Sequence, residues 1–284
     1  MMKLMYFPGC TLKTTALNYE ETALAVARKL GIELIELERW NCCGVVFNLA
    51  VDSAMHHVAA VRDLIRAQQM SKKIGDNRLV TLCSMCFNTL KRVNELVKSD
   101  YEKLETINKF MDEEEDYQCE IEVKHFLEIL RDDIGFETIE KSTTKPLKNL
   151  KVAPYYGCTL VRPKDIGIDS PENPQVIENL VQAIGAEPVK FPYKVKCCGS
   201  YDIVYDRKIA EQRAIEIRKA ASRWGANVIV VTCPLCHYNL SLQVRAPEIP
   251  IVYFTELMAI ALGVDEVLDP QVRRIIYSIM GEIK

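Results

Sequence analysis

Short apolar runs alternate with amphipathic segments along the first part of the chain. The run from Leu4 to Phe7 is typical of a buried strand, and the segment from Glu20 to Leu30 has apolar residues at helical spacing and ends before Gly31. The apolar positions from Ile32 to Leu37 predict a second strand, and those from Val51 to Met70 predict a long helix.

The same alternation continues with a third strand from Leu79 to Leu82 and a helix from about Ser84 to Val97. Strand and helix therefore follow one another in the order βαβαβα. This order predicts a parallel sheet covered by helices, with right-handed crossover connections.

The pattern then occurs a second time. Three segments of the first half match three of the second: 6–12 and 154–160, 79–86 and 229–236, and 121–130 and 249–258. We therefore predict two duplicated α/β domains related by a pseudo-twofold axis, the first covering residues 1–140 and the second 149–284. Residues 133–151 are the expected linker, which leads into a strand from Val152 to Tyr156.

Composition supports an ordinary folded protein with two cores. A chain of 284 residues can form two cores of about 140 residues each. The net charge of -3 gives no reason to expect nucleic acid as a partner. No apolar run reaches the length needed to cross a bilayer, so we expect no direct membrane insertion, and the apolar stretch before Cys10 is too short for a signal peptide.

One segment has no counterpart in the second half. Residues 99–118 are strongly charged, include five consecutive acidic residues at 112–116, and form an insertion of about 22 residues between the matching segments. We expect a solvated helix or loop here. A docking surface for a partner is the alternative.

Ten of the eleven cysteines form two equivalent sets of five, each with a lone Cys, a Cys-Cys-Gly and a C-x2-C. The first set is Cys10, Cys42, Cys43, Cys83 and Cys86, and the second is Cys158, Cys197, Cys198, Cys233 and Cys236. Their positions after predicted strands place them where open α/β sheets build their sites. The odd count and modest cysteine content favour reduced thiols and predict a cytoplasmic protein.

Sets of thiols without histidines select soft metals: iron–sulfur clusters, zinc or copper(I). Adjacent cysteines are poor disulfide partners, because neighbouring Cα atoms lie closer than a disulfide prefers. A zinc site in each half is one alternative, but it gives no role to the fifth thiol. A thiol–disulfide exchanger is another, and it needs only a single C-x2-C.

The two cysteine sets, with Gly9 before Cys10 and Gly157 before Cys158, resemble the cysteine-rich CCG domain proteins over nearly the whole chain. The similarity is greatest to the heterodisulfide reductase B subunits of methanogens. The resemblance implies that each set of five cysteines holds a noncubane 4Fe-4S cluster. It further implies that the disulfide of coenzyme M and coenzyme B binds between the clusters and is reduced to two thiols.

The same resemblance implies partner subunits. The chain has no G-x-G-x-x-G fingerprint and no C-x2-C-x2-C ferredoxin run, so electrons must arrive from other subunits. The implied donors are a ferredoxin-like C subunit, a flavin-bearing A subunit and, beyond them, a hydrogenase or formate dehydrogenase. The alternative hypothesis is a non-catalytic iron–sulfur electron-transfer subunit of a lactate or glycolate oxidation complex.

Several residues outside the two cysteine sets have expected roles of their own. Cys119 lies outside the repeat and is expected to be a free structural thiol, and His237, next to Cys236, is expected to be structural, with proton donation as the alternative. Gly44 and Gly199 are expected to let the backbone approach a cluster. Histidines expected to be packing or surface residues are His56, His57 and His125. Cations near the motifs, for which surface solvation is the expected role, are Lys13, Arg39, Arg162, Lys194 and Lys196.

Overall fold

The computed structural model describes residues 1–45, 53–242 and 245–282, and two four-stranded parallel sheets form its framework. The first sheet has the strand order β2-β1-β3-β4 and the second has the order β6-β5-β7-β8. The strands are β1 Met2–Phe7, β2 Ile32–Glu36, β3 Arg78–Thr81, β4 Glu122–His125, β5 Lys151–Pro154, β6 Glu187–Pro188, β7 Val228–Val231 and β8 Ile251–Tyr253. The predicted duplicated α/β architecture is confirmed.

Helices cover the sheets and connect consecutive strands. In the first half they are α1 Gly9–Leu12, α2 Leu17–Lys29, α3 Val58–Ile74, α4 Ser84–Ser99, α5 Tyr101–Phe110, α6 Phe126–Glu128 and α7 Phe136–Ser142. In the second half they are α8 Val176–Ala183, α9 Arg207–Arg223, α10 Pro234–Leu240, α11 Phe254–Ala261 and α12 Pro270–Met280. A 3-10 helix at Ala54–His57 precedes α3, a π-helix at Ile129–Ile134 follows α6, and a second 3-10 helix at Asp265–Val267 precedes α12.

The central strands have equivalent registers in the two sheets. In the first sheet Met5 of β1 lies opposite Leu79 of β3, and in the second sheet Val152 of β5 lies opposite Val228 of β7. All four residues of β7 are buried, as expected for strands covered on both faces. The carboxyl ends of the strands in each sheet therefore point to one edge.

Two edge strands, β4 and β8, were not among the predicted strands. They comprise only four and three residues, and β4 alternates exposed or partly exposed positions with buried ones. Such short elements give too few residues for the hydrophobic period to identify. Pairing with β3 and β7 defines them instead.

The long helix predicted from Val51 to Met70 is confirmed from Val58 onward and extends to Ile74, where Gly75 with a φ of 78° ends it. Residues 54–57 form the 3-10 turn instead, and Val51 and Asp52 lie outside the described residues. The other predicted strands and helices of the first half agree with the structure to within a few residues.

The expected linker, residues 133–151, is folded against the second half. It contains α7, which packs on α8, and the backbone N–H groups of Thr144 and Lys145 donate to the carbonyl of Ala261 at 2.9 and 3.0 Å. The chain between the domains is therefore part of the core packing. Because residues 133–151 are rich in charged side chains, their sequence pattern did not predict α7.

The acidic insertion forms α5, whose N-cap Asp100 accepts a hydrogen bond from the Lys103 N–H at 3.0 Å. The chain beyond α5 returns to α3, where Glu114 lies 3.5 Å from Arg66 and Glu115 lies 2.9 Å from Lys72. A largely solvated helix with its own ion pairs agrees with the expected solvated segment. No helix in the described part of the chain is long and apolar enough to cross a membrane.

The two halves pack together through α2 and α11. The ring of Tyr19 stacks on that of Tyr253 with centroids 4.0 Å apart, and the hydroxyls of Thr22 and Thr255 lie 2.7 Å apart. Glu256 is buried in this interface, where its carboxylate accepts from the Tyr253 N–H at 2.7 Å and the Asn18 amide at 2.8 Å. The stacked rings and the buried polar contacts fix the relative position of the halves.

Burial raises the pKa of Glu256 to about 7, because the charged carboxylate loses its hydration. Between its ordinary pKa and about 7, the folded chain holds a proton that the unfolded chain releases, so the free energy of unfolding should fall as the pH rises. Glu256→Gln should remove a decrease in the free energy of unfolding on the order of 3 kcal/mol. Urea denaturation at a series of pH values measures this, with the exposed Glu137→Gln as the control. Parallel curves for Glu256→Gln and wild type would contradict the prediction.

Candidate metal centre

The cysteines of the first half lie at the carboxyl edge of the first sheet. Cys10 is in α1 directly after β1, Cys42 and Cys43 follow β2, and Cys83 follows β3. Cys86 is in the first turn of α4. The convergence expected from the parallel order of the strands is therefore present, although up to 76 residues separate the cysteines along the chain.

The five thiols of the first set are connected one to the next. The Sγ atoms of Cys43 and Cys86 are 3.6 Å apart. The thiols of Cys10 and Cys43 hydrogen-bond to Cys42, which lowers the pKa of Cys42 to about 2, and the Cys42 sulfur raises the pKa of Cys43 to about 12. Cys83 hydrogen-bonds to Cys86 in the same way. Five soft donors therefore form one contiguous group.

The second set repeats this arrangement. The Sγ atoms of Cys198 and Cys236 are 3.5 Å apart, and hydrogen bonds from Cys158 and Cys198 lower the pKa of Cys197 to about 2. The Gly199 N–H donates to the Cys197 sulfur at 3.3 Å. The fifth member, Cys233, hydrogen-bonds to Cys236.

The two sets meet where the halves of the molecule face each other. A hydrogen bond from Cys233 is the largest cause that lowers the pKa of Cys83. Beside this contact, the hydroxyls of Ser84 and Thr232 lie 2.7 Å apart and the Ser84 N–H donates to the Thr232 carbonyl at 3.4 Å. The ten thiols therefore occupy one continuous region between the two sheets.

This donor chemistry fits a polynuclear metal group. Six of the ten cysteines are buried, so five thiolates held together in one set would repel one another strongly without a compensating positive charge. Within residues 1–45, 53–242 and 245–282, no three His, Cys, Asp or Glu side chains are grouped to hold a metal ion. The fit to a metal group therefore rests on the donor chemistry and on the sulfur contacts, which are 3.6 Å between the Cys43 and Cys86 Sγ atoms and 3.5 Å between those of Cys198 and Cys236.

Acidic residues on the neighbouring helices hold the residue before each Cys-Cys pair. Asp63 of α3 accepts from the Asn41 N–H at 2.8 Å and from its amide at 3.2 Å. In the second half, Glu216 of α9 forms an ion pair with Lys196. Burial raises the pKa of Asp63 to about 8, so its neutral form is favoured beside the sulfur atoms. Sequence reasoning did not identify these positions.

The glycines that face sulfur are Gly9 and Gly157. A Cβ at Gly9 would lie 2.9 Å from the Cys86 Sγ, and one at Gly157 would lie 3.1 Å from the Cys236 Sγ. Gly44 and Gly199 were expected to serve this purpose, but a Cβ at either position would instead meet a helix, at Ala59 of α3 or at Ala210 of α9. The repeated glycine before Cys10 and Cys158 was the available sequence signal.

The histidines have structural roles. The His237 ring stacks on Tyr253 at 4.5 Å and its Nε2 lies 3.1 Å from the Ile251 carbonyl, and burial lowers its pKa. His125 is fully buried, its Nδ1 accepts from the Leu127 N–H, and burial lowers its pKa to about 3. His57 is also buried, and His56 lies beside it in the 3-10 turn. These contacts favour the packing role expected for His237 and His125.

Cys119 lies apart from both cysteine sets. It is partly exposed, and its φ of 61° puts it in the left-handed region. Burial raises its pKa above the ordinary value for a thiol, which disfavours the reactive thiolate. This agrees with a structural thiol.

Most of the cations near the motifs are neutralised within the chain. Lys13 lies 2.7 Å from Glu20 and 2.6 Å from Glu36, Lys194 lies 2.6 Å from Glu178, and Lys196 pairs with Glu216. Arg39 donates to the amide oxygen of Gln69 at 3.0 Å. Arg162 donates to the neutral carbonyls of Val195 and Pro171, and no carboxylate of the described residues pairs with it.

Comparison with known proteins identifies two copies of one domain in the chain. The sequence model of the cysteine-rich domain family CCG matches residues 4–91 and 152–241. A protein named 8-methylmenaquinol:fumarate reductase membrane anchor subunit, from Wolinella succinogenes, is 33% identical over 91% of this chain and 92% of its own length. The B subunit of a ferredoxin/F(420)H(2)-dependent CoB-CoM heterodisulfide reductase, from Methanosarcina acetivorans, is 30% identical over 93% of this chain and 90% of its own.

Among solved structures, a hypothetical protein from Helicobacter pylori has a similar fold. It superposes with a TM-score of 0.70 over 99% of this chain and 52% of its own length, at 11% sequence identity. At that identity the likeness supports the fold alone. It extends over both halves, in keeping with a single arrangement of two α/β units.

We predict that Gly9→Ala lowers the amount of metal bound. Gly9 has a φ of 71°, so any side chain costs about 1–2 kcal/mol there, and the added Cβ must also displace the Cys86 sulfur. Gly31→Ala is the matched control, because Gly31 has a φ of 78° and open space around its Cβ position. Metal per chain and thermal unfolding measure the two effects separately. Equal metal content in the two variants would show that the sulfur contact is unimportant.

Proposed function

The chain belongs to the cysteine-rich CCG domain family, and from this membership we propose that it is an iron–sulfur redox subunit that reduces a disulfide. The observation that carries the proposal is the pair of contiguous five-thiol groups that meet at Cys83 and Cys233. An ordinary zinc site or iron–sulfur cube uses four ligands, which leaves the fifth thiol of each half unexplained.

In this proposal each half holds one noncubane 4Fe-4S cluster. Cys10, Cys42, Cys43, Cys83 and Cys86 would hold the first cluster, and Cys158, Cys197, Cys198, Cys233 and Cys236 would hold the second. When bound, such clusters supply electrons one at a time.

The chain's own side chains prepare these two places. The hydrogen bond from the Gly199 N–H stabilises negative charge on the Cys197 sulfur, and the amide of Asn239 lies 3.3 Å from the Cys198 carbonyl and 3.7 Å from its sulfur. Tyr155 is fully buried beside the second set and excludes water from it. These groups orient the thiols and keep their surroundings dry.

The proposed substrate is the disulfide of coenzyme M and coenzyme B, which is reduced to the two thiols. Two Methanosarcina relatives named as B subunits of CoB-CoM heterodisulfide reductases, matched over about nine-tenths of both chains, support this choice. Reduction of one S–S bond consumes two electrons and two protons and releases two thiols. Two adjacent one-electron sites are suited to that stoichiometry.

Electrons would come from companion subunits. The chain has no ferredoxin-type cysteine run, so we propose a ferredoxin-like C subunit as the immediate donor. A flavin-bearing A subunit and a hydrogenase or formate dehydrogenase would lie further upstream. The complex as a whole would then operate in the cytoplasm of a methanogen or related cell.

A second candidate function is electron transfer without disulfide chemistry. The Wolinella relative, at 33% identity, is named as a subunit of a menaquinol:fumarate reductase. In this alternative the same two cluster sites would pass electrons within a complex that oxidises or reduces an organic acid. The family membership is common to both candidates, so the substrate must distinguish them.

Metal analysis tests the cluster sites. We predict about eight iron atoms and about eight acid-labile sulfides per chain for the anaerobically purified protein. Cys86→Ala and Cys236→Ala should each lose about half of both, whereas Cys119→Ala, outside the two sets, should lose neither. Zinc without acid-labile sulfide would rule out the clusters.

Turnover tests the choice of substrate. The cluster-replete protein, supplied with a low-potential artificial reductant, is expected to reduce the coenzyme M–coenzyme B disulfide and to release two thiols per molecule. Thiol formation measures the rate, and Cys86→Ala or Cys236→Ala should abolish it. A protein with full iron and sulfide content that releases no thiols would favour the electron-transfer alternative.

A further inference from the structure

A groove opens beside the second cysteine set, between α4 of the first half and the segment 158–171 of the second. Its volume is about 480 Å³. We call it the cysteine-side groove. Its lining includes Asn88, Arg92, Cys158, Arg162, Lys164 and Tyr201. It is formed by both halves of the molecule and reaches a proposed cluster ligand.

The cysteine-side groove is cationic. Arg92, Arg162 and Lys164 line it and no carboxylate does, although the chain as a whole carries a net charge of -3. Across residues 1–45, 53–242 and 245–282, none of these three side chains has an acidic partner within ion-pair distance. Their positive charges are therefore available to a ligand.

The walls of the groove are fixed by hydrogen bonds between the halves. Asn88, which is only 2% exposed, donates from its amide to the Thr159 carbonyl at 2.7 Å and to the Arg162 carbonyl at 2.6 Å. The Arg162 guanidinium donates to the carbonyls of Val195 and Pro171 at 3.0 and 2.7 Å. Neutral carbonyls hold this group in place without cancelling its charge.

The groove ends at the sulfur region. Cys158 lines it directly, and Tyr201 forms part of its wall while its hydroxyl lies 3.5 Å from the Met85 sulfur of the first half. A ligand whose charged group contacts Arg92 and Lys164 would therefore extend its other end toward Cys158.

The polar and cationic residues that α4 contributes to the groove are not repeated at the matching positions of the second half. The repeat pairs Asn88 with Tyr238 and Arg92 with Leu242, so neither the amide clamp nor the positive charge is repeated. The spacing from the lone cysteine to the Cys-Cys pair is also longer in the second half, with 38 intervening residues against 31. The two units are otherwise duplicated, so their difference at these positions favours a specific role for the groove.

On the far side of Arg92, the lining residues include carboxylates. A neighbouring cavity of about 420 Å³ shares Arg92 and Pro163 with the groove, but it is also lined by Glu95 and Asp165. An anion is therefore favoured only on the side of Arg92 that faces Cys158. This limits the anionic part of the ligand to a small group.

We propose that the cysteine-side groove binds the anionic arm of the substrate, with Arg92 and Lys164 as its direct contacts and Arg162 as a fixed neighbouring charge. The chemical class is a thiol or disulfide that carries a sulfonate, carboxylate or phosphate a few bonds from its sulfur. This inference rests on the proposed function, since it assigns the charged end of a disulfide substrate to one side of the sulfur region.

The test compares two disulfides that differ only in charge, bis(2-sulfoethyl) disulfide and bis(2-hydroxyethyl) disulfide. Isothermal titration calorimetry on the anaerobic, cluster-replete protein without reductant measures binding in the absence of turnover. Wild type is expected to bind the sulfonate compound about tenfold more tightly than the neutral one. Arg92→Gln and Lys164→Gln should each weaken sulfonate binding about fivefold and leave the neutral compound unchanged.

Matched variants separate local contact from overall charge. Lys219→Gln removes an exposed lysine of α9 that does not line the groove, and it should leave both affinities unchanged. Arg92→Lys keeps the charge and should retain most of the sulfonate affinity. Iron content equal to wild type shows that each variant is folded. Equal affinity for the two disulfides, or an Arg92→Gln effect no larger than that of Lys219→Gln, would overturn the inference.

The outcome is independent of the catalytic assay. Charge-dependent binding that requires Arg92 in a protein that reduces no disulfide would support the groove and refute the proposed reductase activity. Reduction of both disulfides at equal rates by wild type and Arg92→Gln would support the activity and refute the groove.

Discussion

The contact between the turns after β3 and β7 determines the arrangement of the rest of the site. Ser84 and Thr232 bond to each other there, and Cys83 and Cys233 are brought into hydrogen-bonding contact beside them. A parallel sheet gathers the carboxyl ends of its strands at one edge, so two such edges that face each other bring together ligands from the whole chain. The stacked rings of Tyr19 and Tyr253 hold the two edges in place.

This arrangement concentrates ten sulfur ligands in one region, where six of the cysteines are buried. The Gly199 N–H stabilises negative charge on Cys197, but hydrogen bonds alone do not balance several negative charges in one group. Deprotonation of a whole set would therefore require positive charge at each of the two places. Metal atoms at those places would supply it, and folding and metal binding would then be coupled.

Much of this was predictable from the sequence, because cysteine spacing and strand order are local patterns with a direct geometric meaning. The duplicated parallel sheets and the position of the lone cysteines after their strands followed from them. The edge strand β8, the helix within the linker and the sulfur-facing role of Gly9 did not, because each depends on what packs against it in three dimensions. The charges that line the cysteine-side groove were also not predictable from the sequence. Arg92 has no distinguishing sequence feature in its helix, and its role depends on the residues of the second half that lie opposite it.

Duplication explains why there are two sites, and divergence explains how they can differ in use. The thiol groups and the glycine before each lone cysteine are repeated. The amide clamp of Asn88 and the charge of Arg92 are not repeated, because Tyr238 and Leu242 occupy the matching positions. Under the proposed function, two equivalent thiol groups with unequal surfaces beside them would suit a disulfide whose two halves differ, since both sulfur atoms need the same chemistry while each arm needs its own recognition.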